Sequence, residues 1–139
     1  MIKPGLALGL WWTIAAVIVL NNMIGDTWIA VSLSARAVEW YKALVPVPYV
    51  ALIAVIHARR TAGPDWLQAA VVAALNWPVA TMIVDYLYSR VTFGNDLSAF
   101  LDRFAVQWGA PYPLLILWLF AAPLLAGAAI AKGSSQRSG

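Results

Sequence analysis

Residues 66–88 read WLQAAVVAALNWPVATMIVDYLY, 23 residues with one charged side chain, Asp85, close to the end. At about 1.5 Å per residue such a helix is about 34 Å long, against a bilayer hydrocarbon core of about 30 Å. Three further stretches have the same character, at 5–23, 40–57 and 110–131. Inside hydrocarbon every backbone N–H and C=O has to be paired within the protein, so each stretch is expected to be a helix. The sequence therefore predicts an all-α integral membrane protein, with residues 1–139 forming one domain of four transmembrane helices.

Composition agrees. The chain is 63% hydrophobic and 11% charged, far from the 45–50% and 25% usual for soluble domains. It has no cysteine, which excludes disulfides, thiolate metal sites, c-type haem attachment and a cysteine nucleophile. The net charge of +3 comes from Lys and Arg scattered at the ends of apolar runs and points to no nucleic-acid partner. Met1-Ile2-Lys3 followed by an apolar run imitates a secretory signal. The run nevertheless carries Trp11 and Trp12 and ends in Asn21-Asn22 without a small-residue cleavage site, so an uncleaved anchor is expected.

Basic residues near the helix ends set orientation. Lys3, Arg59, Arg60, Lys132 and Arg137 fall on one side; Arg36, Lys42, Arg90 and Arg103 fall on the other. The compact Arg59-Arg60 pair in a short loop breaks this near tie and predicts both termini in the cytoplasm. An Ala-, Trp- and Arg-rich chain with sparse Lys reads as bacterial, which assigns it to the inner (plasma) membrane.

The two outer connections resemble each other. At 27–40, Ile29, Leu33, Ala37 and Trp40 recur at helical spacing and continue to Leu44. At 97–108, Leu97, Phe100, Leu101, Phe104 and Trp108 do the same. Both patterns predict interfacial helices on the outer surface, the first with some competing period-two alternation. Sliding the chain on itself by 65 residues pairs Trp12 with Trp77, Ile18 with Ile83, Pro46 with Pro111 and Pro48 with Pro113 among nine identities. This raises a candidate duplication of two parallel two-helix repeats, 5–60 and 66–131, related by a two-fold axis along the membrane normal. Each P-x-P element is expected where an outer stretch becomes a spanning helix, since a first helical turn tolerates proline. From Pro48 to Arg59 is only about 12 residues, about 18 Å. The second span must therefore start near Trp40 and carry its prolines inside as a kink. Trp40, Tyr41 and Trp108 then read as aromatic anchors at the outer headgroups.

Three polar residues are the candidate functional positions. His57, the only histidine, ends the second span. It reads either as an imidazole facing the headgroups or as a haem ligand, metal ligand or proton relay, although a b-type haem would need a second ligand from elsewhere. Asp85 lies about 28 Å along its helix from Trp66, near the outer interface. That depth suggests a hydrated acid paired with Arg90 or a helix end; ion or proton coupling is the functional alternative. Asn76 lies about 15 Å along, close to mid-bilayer, next to Trp77 and Pro78. Pro78 deprives the Ala74 carbonyl of its helical donor, so Asn76, a water or a hydroxyl such as Thr13 is expected to compensate. A structural kink with an interhelical hydrogen bond is the plainer reading. A midplane ligand site walled by Trp12 and Trp77 is the other.

Small residues at Gly5/Gly9, Ala69/Ala70 with Ala73/Ala74, and Ala122/Ala126 beside Gly127 allow close helix approach. Pro123 should kink the fourth helix, and 133–139 reads as a flexible tail. No phosphate loop, nucleophile elbow, zinc motif or carboxylate pair is present, and no cofactor or metal is expected. The leading expectation is a non-enzymatic accessory, assembly or scaffold subunit whose partners are the lipid bilayer and other membrane subunits or copies of itself. The alternative is a small oligomeric transporter or channel using Asn76, Trp77, Pro78 and Asp85. A haem or quinone redox anchor built on His57 ranks last.

Overall fold

The computed structural model describes residues 3–105 and 109–139. Proline opens the first helix, α1 (Pro4–Ile24), where its missing N–H costs nothing. A π-helical turn, Gly25–Ile29, prolongs α1. Gly25 allows a close approach there: a Cβ would sit 3.1 Å from Lys42 Cγ and 3.3 Å from the Tyr41 ring. Ser34 then starts a new helix, α2 (Ala35–Leu44), its Oγ accepting from Ala37 N at 3.2 Å. No separate interfacial helix therefore forms over 27–40. Its first part extends the first span and its second part begins the next, because Ser34 supplies a cap in the middle of the apolar pattern.

Beyond Val45 the chain continues as α3 (Pro46–Arg60), with Val45 itself in helical conformation. α2 and α3 form one membrane-length unit, Ala35–Arg60, with Pro46 and Pro48 inside it as their position predicts. α4 (Trp66–Phe93) has Pro78 in its interior and stops at Gly94, whose φ of 68° permits the left-handed cap. α5 (Leu97–Leu101) is capped by Asp96 and runs into a 3-10 turn, Asp102–Phe104. The second outer helix thus exists but is short; Trp108, its expected anchor, lies outside the described residues. Edge-to-face contacts among Phe100, Phe104 and Tyr112 seat it on α6 (Tyr112–Ser138). α6 continues to Ser138, so most of the expected flexible tail is helical. Among the described residues, four helical units, Pro4–Ile29, Ala35–Arg60, Trp66–Phe93 and Tyr112–Ser138, are long and apolar enough to cross a membrane.

α1 packs on α3 and α4, and α6 packs on the same two helices. Small residues set the α4–α6 approach: a Cβ on Gly127 would meet the Trp66 ring at 3.0 Å and Ala70 Cβ at 3.3 Å. The Lys3 ammonium donates to the Arg60 carbonyl at 2.7 Å, so the N-terminal segment and the end of α3 share one end of the bundle. α1 and α4 run in the same direction and lie side by side, as do α3 and α6. A two-fold axis along the normal would place each of those pairs on a diagonal. The aligned positions also differ in environment: Trp12 is 61% exposed and Trp77 fully buried, Ile18 buried and Ile83 exposed. The packing does not show the two-fold relation expected of duplicated halves.

Candidate functional site

Trp77, Thr81 and Asp85 are spaced four residues apart and therefore share one face of α4, which turns into the bundle. Each is held by a neighbouring helix. Trp77 Nε1 donates to the Ala7 carbonyl at 3.0 Å, and Trp11 Nε1 donates to Thr81 Oγ1 at 3.1 Å. Asp85 accepts from Asn22 Nδ2 at 3.1 Å on one oxygen and from the Tyr112 hydroxyl at 2.6 Å on the other. One carboxyl group thus ties together α1, α4 and α6.

Next to it, the two outer connections bring their charges together. Lys42 places its ammonium 3.1 and 3.3 Å from the two oxygens of Asp26 and 3.7 Å from Glu39. Asp26 also accepts from the Tyr88 hydroxyl at 3.1 Å. Arg103 Nε donates to Glu39 at 3.3 Å, and its guanidinium lies 3.9 Å from the Tyr112 ring centroid. Planar stacking on an aromatic face is a guanidinium property that an ammonium lacks. Asn21 Nδ2 reaches the Lys42 carbonyl at 3.4 Å. A cavity of about 270 Å³ opens beside this network, lined by Asp26, Glu39, Lys42, Tyr88, Asn95 and Arg103 among others. Three carboxyl groups and two cations make the cluster nearly charge-balanced. Chemically it can clamp helices, hold a proton on Asp85 or accept a small polar group. Among the described residues no three His, Cys, Asp or Glu side chains come close enough to hold a metal ion.

The structure moves several residues from where the sequence placed them. Asp85 is not a hydrated interfacial acid beside Arg90: it is 1% exposed and partnered by Asn22 and Tyr112. Depth along the helix was legible, but the packed connections above cover it. His57 does not face the headgroups either. It is 1% exposed, its ring edge-to-face with Trp77 at 5.7 Å, and neither ring nitrogen has a partner among the described residues.

Trp12 and Trp77 do not wall a common site. Trp12 points outward, and the adjacent Trp11 takes the inward position. Pro78 is buried in the bundle, while Asn76 is half-buried beside a groove on the outer side of α4, its side-chain oxygen enclosed and without a partner among the described residues. Thr13, suggested as a donor to the Ala74 carbonyl, donates instead to Leu10 O at 2.6 Å within its own helix. Sequence reasoning did not single out Asn22, Asp26, Glu39, Lys42, Arg103 or Tyr112 as a site. The available signal was the gathering of acids in and beside the two outer connections, together with Asn21-Asn22 at the end of an apolar run.

Comparison with family models, with curated proteins and with solved structures finds no match for this chain.

Proposed function

We propose that the protein is a non-enzymatic multi-pass membrane protein, an accessory, assembly or scaffold subunit that works through the outward faces of its helices. In this reading it resides in the bacterial inner membrane with both termini cytoplasmic. One observation carries it: each charged group of the cluster is already engaged within the chain, Lys42 with Asp26 and Glu39, Arg103 with Glu39, and Asp85 with Asn22 and Tyr112. A network closed on itself holds elements in place. It fastens both outer connections to the bundle and leaves the helix faces, rich in exposed Leu, Val, Ile and Trp, to meet lipid and other spans.

A second reading, a small transporter, is favoured by a separate observation. Two titratable side chains, His57 and Asp85, are buried in membrane-length helices, and intramembrane ionisable groups commonly mark ion or proton paths. Purification in a mild detergent, with identification of what accompanies the protein, and ion-uptake assays in proteoliposomes separate the two. The first reading expects a stable complex and no uptake. Uptake by the parent that Asp85→Asn abolishes at unchanged folded yield would replace it with the second. Orientation is tested on the cysteine-free background: Ala62→Cys should resist labelling from outside intact cells.

A further inference from the structure

The two ends of the bundle treat their charges differently. At one end Lys42 and Arg103 are taken up by Asp26 and Glu39. The other end carries Lys3, Arg59, Arg60, Lys132 and Arg137 against one acid, Asp65. Lys3 is spent on the Arg60 carbonyl at 2.7 Å. The Arg59 and Arg137 guanidiniums have no hydrogen-bond or ion-pair partner among the described residues. Both line one cleft of about 300 Å³, formed where α3 ends at Arg60 and α6 runs on to Ser138. Ala129, Ile130, Gly133 and Ser134 complete it, and no carboxylate is among its lining residues. At Gly133 an added Cβ would meet nothing within 4 Å, so the floor of the cleft is open. The Ser134 hydroxyl donates to the Ile130 carbonyl at 3.1 Å and competes for neither guanidinium.

We propose that this cleft binds a phosphate group, carried by an anionic phospholipid or free in solution. Orientation asks only for cations at one end of the bundle. It does not ask for two guanidiniums on one cleft with no carboxylate beside them. The planar fork of a guanidinium meets two phosphate oxygens at once, so a pair drawn from two helices suits a tetrahedral anion. The C-terminal ends of α3 and α6 oppose an anion with about half a negative charge each, against two whole positive charges. Depth favours the lipid as the source. Ile130 to Arg137 lie about 27 to 38 Å from the start of α6, where a hydrocarbon core of about 30 Å gives way to headgroups. Basic pockets between helices at that level hold lipid phosphates. The site rests on the membrane reading above and is independent of the choice between scaffold and transporter.

The test uses the full chain in detergent, with phosphatidylglycerol or zwitterionic phosphatidylcholine titrated in and bound lipid counted by native mass spectrometry. Phosphatidylglycerol should be retained in preference. Arg59→Gln and Arg137→Gln should each weaken its binding about 5-fold, and together about 30-fold, the range of one and two interfacial cations. Arg60→Gln with Lys132→Gln removes the same charge outside the cleft and should weaken binding about 5-fold or less. Gly133→Leu keeps every charge but fills the cleft, and should also release the lipid. All five positions are exposed, so folded yield should hold. Equal retention of the two lipids, a control pair as damaging as the Arg59 and Arg137 pair, or a harmless Gly133→Leu would overturn the cleft. Displacement of phosphatidylglycerol by excess inorganic phosphate would support the site with free phosphate as its occupant; lipid retained against phosphate would support the lipid. A chain that alkaline carbonate strips from membranes would sink the membrane reading and the lipid site with it. Lost lipid preference in a carbonate-resistant chain would sink the cleft alone.

Discussion

Asn76 and Asp85 lie nine residues apart on the same helix and have opposite fates. Asp85 turns inward, is closed off from solvent and spends both oxygens on Asn22 and Tyr112. Asn76 sits half-buried beside an apolar groove on the outer side, and its enclosed oxygen has no partner among the described residues. Depth along the helix would assign the larger cost to Asn76, which is nearer the middle of the span. The angular position around α4 reverses that assignment: about 100° per residue puts Asp85 on the bundle face with Trp77 and Thr81, and Asn76 on the other. A polar side chain in a membrane helix is therefore classified by its neighbours first and its depth second.

The largest effect should come from Asp85→Ala. It strands the Asn22 amide and the Tyr112 hydroxyl in a buried site and leaves a void, a loss of about 3 kcal/mol or more. Denaturant unfolding in detergent, followed by tryptophan fluorescence, should show the midpoint fall sharply. A midpoint equal to the parent's would mean that Asp85 is hydrated after all, and the contrast with Asn76 would collapse. Asp85→Asn keeps the acceptor for Tyr112 but opposes a second NH2 to Asn22 unless it flips, so the same measurement should place it between Ala and the parent.

Lys42→Met should come next. It removes the cation shared by Asp26 and Glu39 and leaves two carboxylates facing each other in a half-buried site, at a cost of about 1–3 kcal/mol. Proteolysis of the outer connections should accelerate, because Lys42 joins the π-helical turn after α1 to α2. Unchanged cleavage there would show that the cluster does not fasten them.

The two tryptophans that the sequence paired give a smaller and cleaner contrast. Trp77→Phe loses the hydrogen bond to the Ala7 carbonyl and some buried volume, about 1–2 kcal/mol, whereas Trp12→Phe on the outward face should stay within about 0.5 kcal/mol. Equal effects would argue that the two share an environment, as a duplicated chain would require. The smallest change in folding stability belongs to Asn76→Leu, within about 0.5 kcal/mol in a monomer unfolding measurement. A large destabilisation of the monomer would give Asn76 a partner inside the bundle and remove the contrast from the other side.

Much of the fold was legible because long apolar runs are properties of single segments. Apolar runs of the right length announce helices, and the proline pair with too little chain after it correctly required the second span to begin upstream. The outer connections were less legible. The residues from Ile29 to Leu44 carry a helical stripe, but the stripe does not reveal that Ser34 divides it between two spans. The candidate site was least legible. Asn22, Asp26, Glu39, Lys42, Asp85, Arg103 and Tyr112 come from three separate regions of the chain, and none of them forms a local motif.

Sequence alone determined the all-helical class, the number of membrane-length helices and which residues are polar within them, since hydrophobic length and backbone hydrogen-bonding are properties of each segment taken singly. Tertiary structure decided which way each side chain faces. Trp11 rather than Trp12 is buried, His57 is enclosed against Trp77, and Asp85 is sealed among partners while the enclosed Asn76 oxygen has none among the described residues. These helices are apolar nearly all round, so no amphipathic stripe marks the inward face. Rotation about each axis is set instead by close packing between small residues and by hydrogen bonds that exist only once the helices have met.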